Sequence, residues 1–297
     1  HILVHTGQNY DYELNQIFFE DLGLRKPDYF LNAGRKSFGA TIGDIFKKSE
    51  EILRKERPDA FLVLGDTNSC LAAYIAKRLK IPVYHLEAGN RCFDFNVPEE
   101  INRKIIDSIS DFNLVYTEHA RRNLINEGFP LRRIYLIGSP MNEVILSNKK
   151  KITDSKILSI LKLAENKYFA ASFHREENVE NDANLRIIIE ALNNLSEFYK
   201  KDIIISTHPR TRLRLKELKQ KISTRLKFMK PFSFSDYIKL QKNAICTISD
   251  SGTISEEASI LNFPAVTIRN AMERPEAMDT GAIILTGINT ENIINSV

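Results

Sequence analysis

Seven polar or ionisable residues stand just after short apolar runs of strand character: Gln8, Asp66, Glu87, His174, His208, Asp250 and Arg269. In an open α/β sheet the carboxyl ends of the strands are where ligands bind. Any one of these residues reads equally well as a loop residue capping a helix, but seven in the same position make a candidate site. They divide by charge along the chain. Asp66, Glu87 and, at a helix start, Glu99 are carboxylates of the first half. Arg103 follows Glu99 by one helical turn, either fixing its orientation or forming a plain surface pair. The second half supplies His174, Arg175, His208, Arg269 and Arg274. Carboxylates opposite cations suit a reaction in which a proton moves on one side and an anionic leaving group is stabilised on the other.

The stretch Ile248 to Ala277 shows how such a leaving group would be held. An apolar run from Ala244 to Ile248 ends in Asp250-Ser251-Gly252. Thr253 and Glu256 have the capping-box spacing, Ile254, Ala258 and Leu261 form one helical stripe, Pro264 closes the helix, and Ala265 to Ile268 is the next strand. A helix N-terminus above a sheet edge is an anion site, although Ser-Gly-Thr alone could be a packing turn. Glu257 would repel a phosphate there but could accept from a neutral diol such as a ribose. Arg269 and Arg274 can supply cations, so a nucleotide diphosphate meets all three demands. Metal binding fits poorly, because the two histidines lie far apart and each has an arginine close by. A serine hydrolase is excluded because Ser251 is not in a G-x-S-x-G elbow.

The elements that must position these residues alternate. Strand-like runs at 60–64, 82–86, 112–116 and 134–137 are separated by helix-like patterns at 37–53, around Leu71 to Ile75, and from Pro98, where Ile101, Ile105 and Ile109 give the burying stripe. An earlier helix runs through Leu14, Phe18 and Leu22 and stops at Gly23. The polar stretch Asn148 to Lys156 interrupts the pattern and reads as a linker. A second series follows, with strands at 168–173 and 202–206, a helix through Leu185, Ile188 and Leu192, a basic stretch from Arg210 to Lys230, the unit described above, and a last strand at 282–285. Alternation of this kind predicts parallel α/β sheets, and 297 residues predict two domains, 1–147 and 148–297. With 42 basic and 38 acidic residues interspersed, the net charge of +4 gives no nucleic-acid stripe. No run approaches the roughly 18 apolar residues of a membrane span. Cys70, Cys92 and Cys246 lack metal-ligand spacing and read as reduced thiols of a cytoplasmic protein.

Taken together, the motifs resemble the non-hydrolysing UDP-N-acetylglucosamine 2-epimerases. The matching pieces are HTGQNYD at 5–11, LGDTNS at 64–69, HLEAGNR at 85–91, PEEINR at 98–103, FHREE at 173–177, STHPR at 206–210, SDSGTISEE at 249–257 and ERPEA at 273–277. HREENVEN and THPRTR are most similar to the branch acting on UDP-2-acetamido-2,6-dideoxy-L-talose, which yields UDP-N-acetyl-L-fucosamine. The resemblance implies a glycosyltransferase-B-like fold of two Rossmann-like domains with the active site in the cleft between them. It implies inversion at C2 of a UDP sugar without a cofactor or metal, and a homodimer. Carried over by position, Asp66, Glu87 and Glu99 match the acid/base carboxylates and His174 the catalytic histidine. Arg103 and His208 match active-site positions, Ser251 and Gly252 the diphosphate contacts, and Glu257 the ribose carboxylate. The sequence departs from the family in three ways. It starts after the family's first strand and basic, glycine-rich turn. It stops within a helix-like run, 290–297. Asn9-Tyr10 replaces a His-Arg pair of members activated by a second substrate molecule. A hydrolysing epimerase, a non-catalytic nucleotide-sugar binder and a retaining glycosyltransferase are the alternatives.

Overall fold

The computed structural model describes residues 1–7, 16–34 and 37–297, so Gln8 and the Asn9-Tyr10 pair lie outside the described residues. Two compact units form, His1–Asp11 with Leu24–Ser139, and Tyr12–Gly23 with Pro140–Val297. The expected boundary at 147/148 therefore moves to 139/140. The cause is the helix Met141–Ser147, whose Ile145 packs with Ile152 and Ile238 of the second unit. The expected linker is itself structured: Lys149–Asp154 is a helix that buries Ile152 and leaves its lysines exposed. The helix Gln16–Leu22 also joins the second unit, where Asp21 accepts a hydrogen bond from the Ser235 amide at 2.8 Å.

In the first unit, β1 (Val4–His5) pairs in parallel with β2 (Tyr29–Phe30). A second, all-parallel sheet runs β3 (Phe61–Leu64), β4 (Val83–Leu86), β5 (Phe112–Val115), β6 (Ile134–Leu136) in sequence order. The period of two puts Val63, His85 and Asn113 on one buried face, where Val63 and Val83 pack with Ile106, Ala73 and Leu53 from the covering helices. On the other face Leu62 and Leu64 are exposed and Tyr84 and Leu86 half-buried.

The helix Pro98–Ile109 corrects the pattern reading. Ile101 and Ile105, expected to bury it, are 46% and 43% exposed, while Glu100, Arg103 and Asp107 are buried with Ile106. Their spacing of three and four residues is a polar stripe at helical period. It faces inward because its charges neutralise one another and neighbouring groups, the condition for burying charge.

The second unit is the fuller layer structure. Its parallel sheet comprises β7 (Phe169–Ser172), β8 (Ile203–Ser206), β9 (Leu226–Met229), β10 (Thr247–Ser249), β11 (Ala265–Thr267) and β12 (Ile283–Leu285), in the spatial order β9-β8-β7-β10-β11-β12. That is the doubly wound Rossmann order, with the reversal between β7 and β10. Both faces are covered, as a parallel sheet requires. Phe169 and Ala171 pack against Leu185, Ile188 and Leu192 of the helix Asp182–Tyr199, and Tyr168 and Ala170 against Leu240 and Ala244 on the other side. The basic stretch from Arg210 hid two elements, the helix Pro209–Glu217 and β9. β10 is shorter than expected because Ala244 still bonds back to the Gln241 carbonyl at the end of the helix Phe234–Lys242. No helix among the described residues is long and apolar enough to cross a membrane.

Candidate active site

The first unit gathers the expected carboxylates around Asp66, which pairs with Arg103. Asp66 follows Gly65 at the end of β3, and Glu87 follows β4 with a left-handed φ of 67°. Glu99 lies in the first turn of the helix Pro98–Ile109. The Arg103 guanidinium, 2% exposed, pairs with Asp66, with Glu100 at 2.9 Å and with the Asn90 carbonyl at 3.1 Å. The expected Glu99–Arg103 pair is thus replaced by Glu100–Arg103, which leaves Glu99 to act on Asp66 through its charge. Burial first pushes the Asp66 carboxyl above its ordinary value. Arg103 pulls it back, and the negative charges of Glu87 and Glu99 raise it further. A carboxyl with its pKa raised by burial and like charge is suited to taking and returning a proton nearer neutrality.

In the second unit the site forms at the strand-order reversal. Ser172 of β7 and Ser249 of β10 are register partners with hydroxyls 2.9 Å apart, and the chain ends beyond them carry the functional groups. Asp250, fully buried, accepts hydrogen bonds from the amides of His174 and Arg175 and from the Asn178 side chain, each near 3.0 Å. Its other oxygen lies 3.2 Å from His174 Nδ1. That contact directs the Nδ1 hydrogen inward and presents Nε2. The His208 ring stacks 6.1 Å from that of His174. His208 Nδ1 accepts from the Arg210 amide at 3.1 Å, which leaves the ring hydrogen on Nε2.

The Ser251-Gly252 turn is flanked by cations. A Cβ built on Gly252 would stand in ordinary contact, 3.6 Å, with guanidinium nitrogens of both Arg175 and Arg274, so both cations lie beside this turn. Arg274 donates to the Gly252 carbonyl at 2.6 Å and pairs with Glu256 at 2.8 Å. One expectation fails here. The capping box does not form: Thr253 makes no side-chain cap, its hydroxyl sits 3.0 Å from that of Ser251, and Glu256 is engaged by Arg274. Arg269 is buried in a bidentate pair with Glu273 at 2.7 Å; burial works against its charge, but the Glu273 hydrogen bonds and charge outweigh it and raise its pKa. Glu257 is buried, and burial pushes its carboxyl up while Gln241, 2.9 Å away, and Thr253 pull it down. Among the described residues no group of His, Cys, Asp and Glu is arranged to hold a metal.

A model of the family described as UDP-N-acetylglucosamine 2-epimerase matches residues 1–297. The chain belongs to that family. It is an enzyme family whose solved members share the glycosyltransferase-B-like pair of Rossmann-like domains. This epimerase-family chain is 53% identical to the UDP-N-acetylglucosamine 2-epimerase of Rickettsia bellii, with a TM-score of 0.88 over 100% of this chain and 79% of that one. It is 40% identical to the Methanocaldococcus jannaschii UDP-GlcNAc 2-epimerase solved in complex with UDP-GlcNAc and UDP, with a TM-score of 0.93 over 99% and 83%. A Pseudomonas aeruginosa relative, 35% identical over 99% of this chain and 82% of its own, is a UDP-2,3-diacetamido-2,3-dideoxy-D-glucuronate 2-epimerase.

Several residues of this epimerase-family site escaped the sequence reading. Asp250 stood among the strand exits without a role, and Asn178, Glu100, Asp107 and His85 were not singled out. The spacing of Glu100, Arg103 and Asp107 was the available signal, masked by the isoleucines between them.

Proposed function

We propose that this chain inverts C2 of a UDP-activated 2-acetamido sugar by eliminating UDP and adding it back. A C2 hydrogen with no carbonyl beside it is a poor acid. Departure of UDP from C1 builds positive charge at the ring and acidifies that hydrogen, so loss of both gives a 2-acetamidoglycal. UDP then returns to C1 as C2 takes a proton on the opposite face. The carboxylate cluster of Asp66, Glu87 and Glu99, with Asp66 raised by burial and by its two neighbours, is the observation that carries the reading. Such a cluster can take a proton and return it.

The second unit's part in this proposal is to hold the leaving group. Ser251 and Gly252 take the diphosphate, with Arg175 and Arg274 beside Gly252 to stabilise its charge, and Glu257 takes the ribose hydroxyls. His174, oriented by Asp250, and His208 present Nε2 toward the substrate. Arg269 serves by holding Glu273. No cofactor is required.

The substrate we propose is the 6-deoxy pair of the talose and fucosamine series, a precursor of surface polysaccharide, on the strength of HREENVEN and THPRTR. The UDP-GlcNAc/UDP-ManNAc pair is the comparison. Assaying both sugars side by side tests this: a kcat/KM at least about tenfold higher for the 6-deoxy sugar, a difference of about 1.4 kcal/mol, is expected. Preference for UDP-GlcNAc would return the chain to the family's named substrate. Free UDP accumulating in step with product would point instead to a hydrolysing epimerase. The homodimer carries over from the resemblance, and the cytoplasmic location from the scattered cysteines.

A further inference from the structure

Behind the carboxylates of the first unit lies a buried polar chain that the proposed chemistry does not use. His85, on β4 and fully buried, places Nε2 2.8 Å from the Gly65 carbonyl and Nδ1 2.8 Å from Asp107. A carbonyl only accepts, so Nε2 carries the hydrogen that ties it to Gly65. Gly65 has a φ of 75° and immediately precedes Asp66, and a Cβ added to it would come within 3.2 Å of Glu87 Oε2. Asp107 accepts in addition from the Gly89 amide at 3.3 Å, two residues beyond Glu87, and pairs with Arg91 at 2.8 Å. Arg91 continues to Glu127 through two bonds of 2.8 and 2.6 Å, which hold the Glu127 carboxyl at about 2. One connected network therefore links the turn that carries Asp66, the turn that carries Glu87, and the helix that carries Glu99 and Arg103.

We infer that His85 is a positioning residue that sets the distance between Asp66 and Glu87, acting through the Gly65 carbonyl and through Asp107. The inference rests on the epimerase reading. Any buried histidine must satisfy both nitrogens; what sets His85 apart is that its partners are the carbonyl immediately before Asp66 and the carboxylate that also holds the Gly89 amide after Glu87. An error of about 1 Å at a proton-transfer pair costs on the order of 10²-fold in rate, so holding this spacing has a measurable consequence.

Two substitutions separate the nitrogens. In His85→Asn the side-chain amide replaces Nδ1, keeping the Asp107 contact and losing Gly65. In His85→Gln it replaces Nε2, keeping the donor to Gly65. For the full chain, with rates expressed per folded molecule from circular dichroism, His85→Asn should lower kcat about 10- to 100-fold with KM changed less than about threefold. His85→Gln should recover at least about tenfold of that loss even though both variants melt earlier. Equal kcat in parent and both variants, or equal loss in both, overturns the inference while leaving the epimerase reading in place. A parent that converts no UDP-2-acetamido sugar overturns the reading and the inference with it.

Discussion

Asp66 is where the account can be tested one atom at a time. Its carboxyl titrates above its ordinary value in the folded chain, and a base must be ionised to work. The acid limb of kcat/KM should therefore lie above the free-aspartate value of 3.8. Arg103 is the partner that lowers it, so Arg103→Met should move that limb to higher pH, whereas Arg103→Lys, which keeps the charge, should move it less. The Met variant also strands Glu100 and Asp66, at a cost of about 3–5 kcal/mol, so pH profiles are read on the folded fraction; a limb that moved to lower pH would contradict the assignment. Asp66→Asn should reduce kcat by about 10²- to 10⁴-fold with UDP affinity unchanged by isothermal titration. Glu257 shifts in the same direction and for the same leading reason, burial, which the hydrogen bond from Gln241 only partly offsets. Its folded pKa exceeds its unfolded one, so stability falls as pH rises from the unfolded value through the folded one. Glu257→Gln removes that ionisation and should raise the melting temperature at pH 7 by about 2–4 °C per kcal/mol, with no gain at pH 3. It should also narrow the difference in affinity between UDP and 2′-deoxy-UDP.

Elements rather than single residues decide the geometry of the second unit. The β7 and β10 ends meet at Asp250, which accepts from the amides of His174 and Arg175 and from the Asn178 side chain, whose amide also donates to the Ile268 carbonyl. Asp250→Ala should cost about 1–3 kcal/mol for each donor left unsatisfied and weaken UDP binding more than tenfold, on the order of 1.4 kcal/mol, as seen by thermal unfolding and titration. Unchanged UDP affinity beside a lowered melting temperature would mean that Asp250 serves the fold alone. At this scale the sequence was legible where hydrophobic period and strand exit coincide, as at β3, β4, β7 and β8, whose ends placed Asp66, Glu87, His174 and His208. It was misleading where charge is buried. The helix Pro98–Ile109 turns Glu100, Arg103 and Asp107 inward and leaves Ile101 and Ile105 at the surface, because those charges pair with one another and with groups on β4 and in the turns after β3 and β4. The Arg269 environment was hidden for a related reason: nothing in the local pattern announces that Glu273, four residues on, engages both of its terminal nitrogens.

For the whole chain, family membership explains why so many motifs fell in order, while the division of labour between the two units is a chemical proposal that the fold alone does not decide. The second unit, with its complete doubly wound sheet, should bind UDP even when the carboxylates of the first are neutralised. The interrupted stretch at 148–156 misplaced the boundary because a short lysine-rich helix buries only Ile152, too small a signal for periodicity to catch. The central claim is that C2 loses its hydrogen while UDP is detached. Converting a UDP-2-acetamido sugar in D₂O tests that directly by mass spectrometry and proton NMR. The epimerised product should carry deuterium at C2; product formed with its original C2 hydrogen fully retained would contradict elimination and readdition.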